Sequence, residues 1–272
     1  MSDISAKDVM ALRTRTGLGM MDCKKALKEA GGDVDAAEEA LRKKLKGKMD
    51  GRMERAAGEG RVALALSDDG RAGAIIELRA ETDFTARNEK FIDVAEQVAK
   101  LALDAPSGEI TEPTAEMTKL IDDLRITTGE NASFARGHKL AGEGTGAFGV
   151  YLHHDGKTGV LVQGSGSVTD DTLRDVAMHC AAVMPRPLGV NKDSIPADKV
   201  EKEKKFALEQ AMDSGKPQEI AEKMVEGKMR KFYEEVALVE QPFVKDPDKK
   251  IKDILGEGDL VAFERWTLGE DA

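Results

Sequence analysis

The chain has 272 residues, 40% hydrophobic and 34% charged, with a formal net charge of −10. That length suits two or three modules better than one core, and the acidic balance disfavours a phosphate backbone as partner unless a basic patch is segregated. Cys23 and Cys180, the only cysteines, make neither a disulfide framework nor a metal knuckle. No apolar run approaches the ~20 residues of a membrane span. Together with an N-terminus that lacks a basic-then-apolar leader, these bounds predict a cytoplasmic protein whose partner is another protein.

Residues 5–45 read as three short helices. Ser5 caps the first, and Val9 and Leu12 follow at helical spacing. Thr16-Gly17-Leu18-Gly19 breaks it; the second runs over residues 21–30 and stops at Gly31-Gly32. Asp33 caps the third, which carries Val34, Ala37 and Leu41 on one face. Each is too short to persist alone. Residues 1–56 are therefore expected to form a three-helix module, similar in pattern to ubiquitin-associated domains. Met20 and Met21 lie at the first break, and so small a core has room for one of them, leaving the other for a partner. Residues 42–55 are basic but carry no aromatics for base stacking, so they read as a solvated helix end entering a linker.

The core shows an internal repeat. Val62, Leu64, Leu66, Asp69-Gly70 and Gly73 reappear as Phe148, Val150, Leu152, Asp155-Gly156 and Gly159, each 86 positions later. Both copies read as a β-hairpin with an Asp-Gly turn. A helix follows each one, and there the offset is 82, matching Phe91 to Leu173 and Val94 to Val176. The first copy thus has four more residues between strand and helix (86 − 82), and this connection contains Thr82-Asp83-Phe84-Thr85. A phenylalanine among polar neighbours either tucks back as a staple or projects toward a partner. The extra length favours a role that the second copy does not share.

The expected core comprises residues 57–140 as one subdomain, and 141–190 with 233–272 as the other. Residues 131–141 lead toward the second hairpin, and three strands per half are anticipated. Residues 191–232 read as an inserted antiparallel helical hairpin, with Val200, Ala207 and Ala211 facing a stripe of Ile220, Met224, Val225, Met229 and Phe232. Residues 236–239 and 260–263 are expected as strands of the second sheet. The fold class is α+β.

Little of the chemistry inventory survives inspection. Gly144-Thr145-Gly146-Ala147-Phe148-Gly149 fits GxGxxG, but a dinucleotide site needs a helix after it, and here a strand follows. His179-Cys180 cannot easily share a proton, because adjacent helical residues point about 100° apart. His153-His154 flanks a turn, either solvated or facing a partner. No cofactor, metal site or catalytic constellation is expected.

Three long motifs carry a family resemblance. Thr14-Arg15-Thr16-Gly17-Leu18-Gly19-Met20-Met21-Asp22-Cys23-Lys24-Lys25-Ala26-Leu27 and Glu81-Thr82-Asp83-Phe84-Thr85-Ala86-Arg87-Asn88 resemble the two signatures of translation elongation factor Ts. Ser214-Gly215-Lys216-Pro217 through Gly227, with Gln241-Pro242-Phe243-Val244, matches a third region. The resemblance implies a nucleotide exchange factor that binds the GDP-bound GTPase elongation factor Tu and promotes GDP release, and is not itself an enzyme. It implies that Thr82, Asp83, Phe84 and Thr85 help dislodge the GTPase's magnesium ion, that Met20, Met21, Lys24 and His154 are further contacts, and that residues 191–232 are the family's coiled-coil insertion. It leaves open a homodimer or a heterotetramer with the GTPase. Thr85 stands where valine is common, and a C-terminal helical module found in longer members is expected to be missing. Two other classes compete with this reading. One is an oxidoreductase using the glycine-rich stretch; the other is a ribosome- or RNA-associated binder using the basic linker.

Overall fold

In a computed structural model, residues 4–50, 55–142, 146–213, 215 and 217–270 are described, with the side chains of 45–50 left aside. Three helices open the chain: α1 (Ala6–Thr16), α2 (Met20–Glu29) and α3 (Val34–Asp50). Ser5 caps α1 by accepting the Asp8 amide, and Gly17, left-handed at φ 69°, ends it. Such a φ suits glycine because it lacks a Cβ. Asp33 accepts the amides of Asp35 and Ala36, each at 3.0 Å, to start α3. Val9, Leu12, Cys23, Ala26, Leu27, Ala37 and Leu41 form the shared core. Two expectations need correction here. The helix α3 continues to Asp50, past the expected end near residue 45, because lysine, arginine and leucine favour a helix. Neither methionine fills the core: Met20 is 42% and Met21 75% exposed, and Cys23 and Leu27 occupy the inward face of α2 instead.

The first sheet contains β1 (Glu59–Leu66), β2 (Ala72–Ala80), β3 (Gly108–Ile110) and β4 (Ala132–Ala141) in the order β1-β2-β4-β3, all antiparallel. Residues 132–141, read as a lead-in, are thus a central strand, and this half has four strands rather than three. A one-turn helix α4 (Asp83–Ala86) and the helices α5 (Glu89–Ala102) and α6 (Ala115–Thr128) follow or flank its strands. The apolar stripe of α5, Phe91, Val94, Ala95, Val98, Ala99 and Ala102, is buried against the sheet.

The second sheet contains β5 (Ala147–Leu152), β6 (Thr158–Ser165) and β9 (Asp259–Thr267) in the order β5-β6-β9, with helix α7 (Asp170–Ala182) packed on it. The repeat extends to atomic detail. Gly70 and Gly156 have φ of 69° and 70°. The amide of Gly70 donates to the Ser67 carbonyl at 2.9 Å, and that of Gly156 to the His153 carbonyl at 2.8 Å. The β2–β4 ladder shifts register after Glu77, and the β6–β9 ladder after Gln163, again 86 positions apart (163 − 77). The sheets meet where glycine permits close approach. A Cβ on Gly73 would lie 2.5 Å from Leu161, and one on Gly159 would lie 2.5 Å from Val62.

Helices α8 (Ala197–Asp213) and α9 (Gln218–Val236) project between α7 and β9 as an antiparallel pair. Their seam is alanine-rich: Ala207, Ala211 and Ala221 are buried, Met224 and Met229 only partly so, and Ile220 is 46% exposed. The small Cβ groups let the helices approach, so the methionines sit at the margin. Residues 236–239 do not form the expected strand. Helix α9 runs through Val236, and a single bridge from Ala237 to Gly189 is followed by a 3₁₀ turn. The short pair β7 (Pro242–Phe243) and β8 (Asp246–Lys250) and the turn α10 (Ile251–Ile254) lead into β9.

A polar belt crosses the interface between the halves. His138 on β4 meets Glu264 on β9 at 2.5 Å, Glu264 accepts the Trp266 indole N–H at 3.0 Å, and Arg136 lies 4.4 Å over the Trp266 ring. The Glu264 hydrogen bond raises the His138 pKa above its ordinary 6.5, with burial opposing and the Glu264 and Glu109 charges assisting. A raised folded-state pKa means that the contribution to stability is complete below the unfolded value and lost as pH rises through the folded one. The melting-temperature difference between the chain and its His138→Gln variant should therefore be larger at about pH 5.5 than at about pH 9. Equal differences at the two pH values would remove this assignment.

Candidate partner-docking site

The stretch read as a loop is helical. Thr82 is extended, and its hydroxyl accepts the Thr85 amide at 3.2 Å as an N-cap for α4. The amides of Ala86 and Arg87 close the turn on the carbonyls of Thr82 and Asp83, and Asn88 caps α5 at once by accepting the Lys90 amide at 2.9 Å. With successive side chains about 100° apart, one face turns inward and the other outward. Thr85 and Ala86 are buried at 8% and 4%, whereas Phe84 is 84% exposed. Phe84 thus makes no staple. Thr85 faces the scaffold, so its side chain bears on internal packing and not on an outer contact. Asp83 is half-buried and pairs with Arg87 at 3.3 Å.

Two other expected contact regions converge on this end of the first sheet. Gly17 lies beside Thr127, and a Cβ there would sit 3.5 Å from the Lys90 ammonium. Lys90 in turn donates to Thr127 at 2.9 Å, and Arg42 of α3 pairs with Asp123 of α6 at 3.4 Å. The α1–α2 turn with Met20, Met21 and exposed Lys24 is therefore held at the same end of α5 as α4. On the other side, the β5–β6 turn packs on β1: the Val62 amide donates to the Gly156 carbonyl at 2.9 Å, and Lys157 pairs with Glu59 at 2.9 Å. Glu59 is opposite Ala80, just before α4. In that turn His154 is exposed, its ring 4.2 Å from the His153 ring, and His153 pairs with Asp155 at 3.1 Å.

The other candidate groups are structural. His179 is fully buried, accepts the Val244 amide at Nδ1 (3.2 Å) and donates from Nε2 to Gln241 (3.1 Å); burial lowers its pKa. Burial pushes the Cys180 thiol up to about 12, so it is no nucleophile. Gly144 and Thr145 of the glycine-rich stretch lie outside the described residues. Among the described residues no cluster of three or more His, Cys, Asp or Glu is placed to hold a metal ion, and no helix is long and apolar enough to cross a membrane. Glu130 and Asn131, which support α4, were not singled out from the sequence.

What this geometry defines is a repeated antiparallel α+β scaffold with an exposed aromatic residue, two exposed methionines, a lysine and a histidine near one end. The sequence profile described as Elongation factor TS matches residues 81–270. The chain is 43% identical over 276 residues to Elongation factor Ts of Halorhodospira halophila, covering 98% of this chain and 92% of that one. It is 44% identical over 286 residues to the Hyphomonas neptunium protein of that name (99% and 93%), and 41% identical over 295 residues to that of Nitratiruptor sp. (98% and 93%). The chain belongs to the elongation factor Ts family.

Proposed function

We propose that the chain is the guanine-nucleotide exchange factor of the GTPase elongation factor Tu, a binding protein and not an enzyme. The observation that carries this reading is Phe84, 84% exposed on a capped single turn. An exposed aromatic on a rigid support is suited to wedge into a partner. Phe84, with Asp83 beside it, enters the GTPase domain and helps displace the magnesium ion that clamps the nucleotide phosphates. Thr82 and Thr85 hold the turn that presents it. Met20, Met21, Lys24 and His154 widen the contact from the two neighbouring turns.

Exchange requires tighter binding to the nucleotide-free GTPase than to the GDP form, and by linkage the factor weakens GDP binding to the same degree. Residues 1–56 serve as a UBA-like grip. Residues 57–140, and 141–190 with 233–272, serve as the two core subdomains, and 191–232 as a coiled coil. The setting is the cytoplasm. Release of labelled GDP from elongation factor Tu, with and without the chain, tests this reading.

A further inference from the structure

The β2–β4 ladder ends with Ala80 opposite Ala132. Beyond that rung, side chains continue the pairing. One step on, the Glu81 carboxylate accepts the Asn131 amide at 2.7 Å. Two steps on, the Thr82 hydroxyl donates to the Glu130 carboxylate, 3.0 Å from each oxygen. That same hydroxyl accepts the Thr85 amide at 3.2 Å, so Glu130, Thr82 and the first turn of α4 form one hydrogen-bonded chain. Arg55 braces it, pairing with Glu81 at 3.3 Å and accepting the Asn131 side-chain amide at its carbonyl at 2.9 Å. In the other half the ladder ends at Ser165 and Asp259, and Gly166 and Gly258 follow, with no side chains to extend it. The clamp belongs to the half that carries Phe84.

We propose that Glu130 is a positioning residue for Phe84, acting through the Thr82 hydroxyl. This rests on the reading of Phe84 as the exchange wedge. A single helical turn is intrinsically unfavourable, because one turn fixes many dihedral angles for few hydrogen bonds. A bond to an ionised acceptor is stronger than a neutral one, and it polarises the hydroxyl that caps the turn. Without it, α4 must be ordered as Phe84 enters the already docked partner, and that cost falls on the maximal exchange rate. Glu130 follows Gly129, the left-handed end of α6. The same helix holds Arg42 through Asp123 and lies beside Gly17 through Thr127. The support for Phe84 is thus continuous with the support for the Met20 turn.

Two measurements on the full chain test the proposal. In the free protein, hydrogen exchange of the amides of residues 85–87 is expected to be about tenfold faster in Glu130→Ala and between that and wild type in Glu130→Gln, which keeps a neutral acceptor for the hydroxyl. Unchanged exchange in Glu130→Ala overturns the clamp, whatever the partner does. In GDP release from elongation factor Tu, Glu130→Ala is expected to lower the maximal rate about tenfold with the half-saturating concentration changed less than about twofold. It should have no further effect in the Phe84→Ala background, since two residues acting through one contact are not additive. A full Glu130 effect in that background, or a wild-type rate in Glu130→Ala, overturns the positioning role. A Phe84→Ala variant that exchanges like wild type, alongside faster amide exchange in Glu130→Ala, sinks the wedge reading while leaving the clamp standing.

Discussion

Phe84→Ala is expected to slow GDP release from the GTPase by about 10- to 100-fold and to leave the melting temperature of the chain nearly unchanged. Both halves of this expectation follow from exposure. Phe84 is 84% exposed, so its ring contributes little to the fold, and surface substitutions of that kind usually shift stability by less than about 0.5 kcal/mol. Burying a phenylalanine in a partner stabilises the complex by about 1.5–3 kcal/mol, and each ~1.4 kcal/mol is tenfold in rate if the contact forms only as the nucleotide leaves. Phe84→Leu should retain an intermediate rate because part of the apolar area remains. Stopped-flow release of labelled GDP gives the rate, and thermal unfolding gives the stability control.

Glu77→Ala has the opposite signature: a loss of stability of about 3–5 kcal/mol. Glu77 is fully buried in β2. Its carboxylate accepts from Arg79 at 2.5 Å, from Arg136 at 2.9 Å through two guanidinium nitrogens, and from the Gly269 amide at 3.2 Å. Arg136 is itself only 17% exposed and stacks on Trp266. Removing the carboxylate leaves a nearly buried guanidinium and an amide unpaired between the two halves, and an uncompensated buried charge costs more than the pair contributes. Urea unfolding measures it, with an unchanged slope showing that the same surface is exposed. A loss below about 1 kcal/mol would mean that water or Glu264 takes over the carboxylate's role.

Glu77 also marks a limit of reading this sequence. The run Ala74-Ile75-Ile76-Glu77-Leu78 reads as a strand, and its near-continuous apolar character fits cover on both faces, but it does not say which groups would meet a carboxylate buried within it. Here α5 covers one face and the second half covers the other. The repeat was legible because it is written in local chemistry: an Asp-Gly turn and alternating apolar positions, which the matching φ values of Gly70 and Gly156 express.

Contacts between distant residues carry no such local mark. Glu130 meets Thr82 across 48 residues, and nothing near either residue announces it. The cap on α4 was within reach, since a threonine whose hydroxyl can accept the amide three residues on is an N-terminal helix signal. In the seam of α8 and α9, Ala207 and Ala211 were legible from their helical spacing, whereas Ala221 was obscured by larger apolar residues nearby. The tail of α9 escaped because Val236-Ala237-Leu238-Val239 suits a short strand and a buried helix end equally.

This chain is expected to loosen GDP from elongation factor Tu. The direct measurement is the dissociation rate of labelled GDP from the loaded GTPase, chased with excess unlabelled GDP, as the wild-type chain is titrated. The rate is expected to rise with the chain's concentration and saturate, with no nucleotide bound or hydrolysed by the chain alone. A GDP release rate that stays at the value of the GTPase alone across the titration would contradict it.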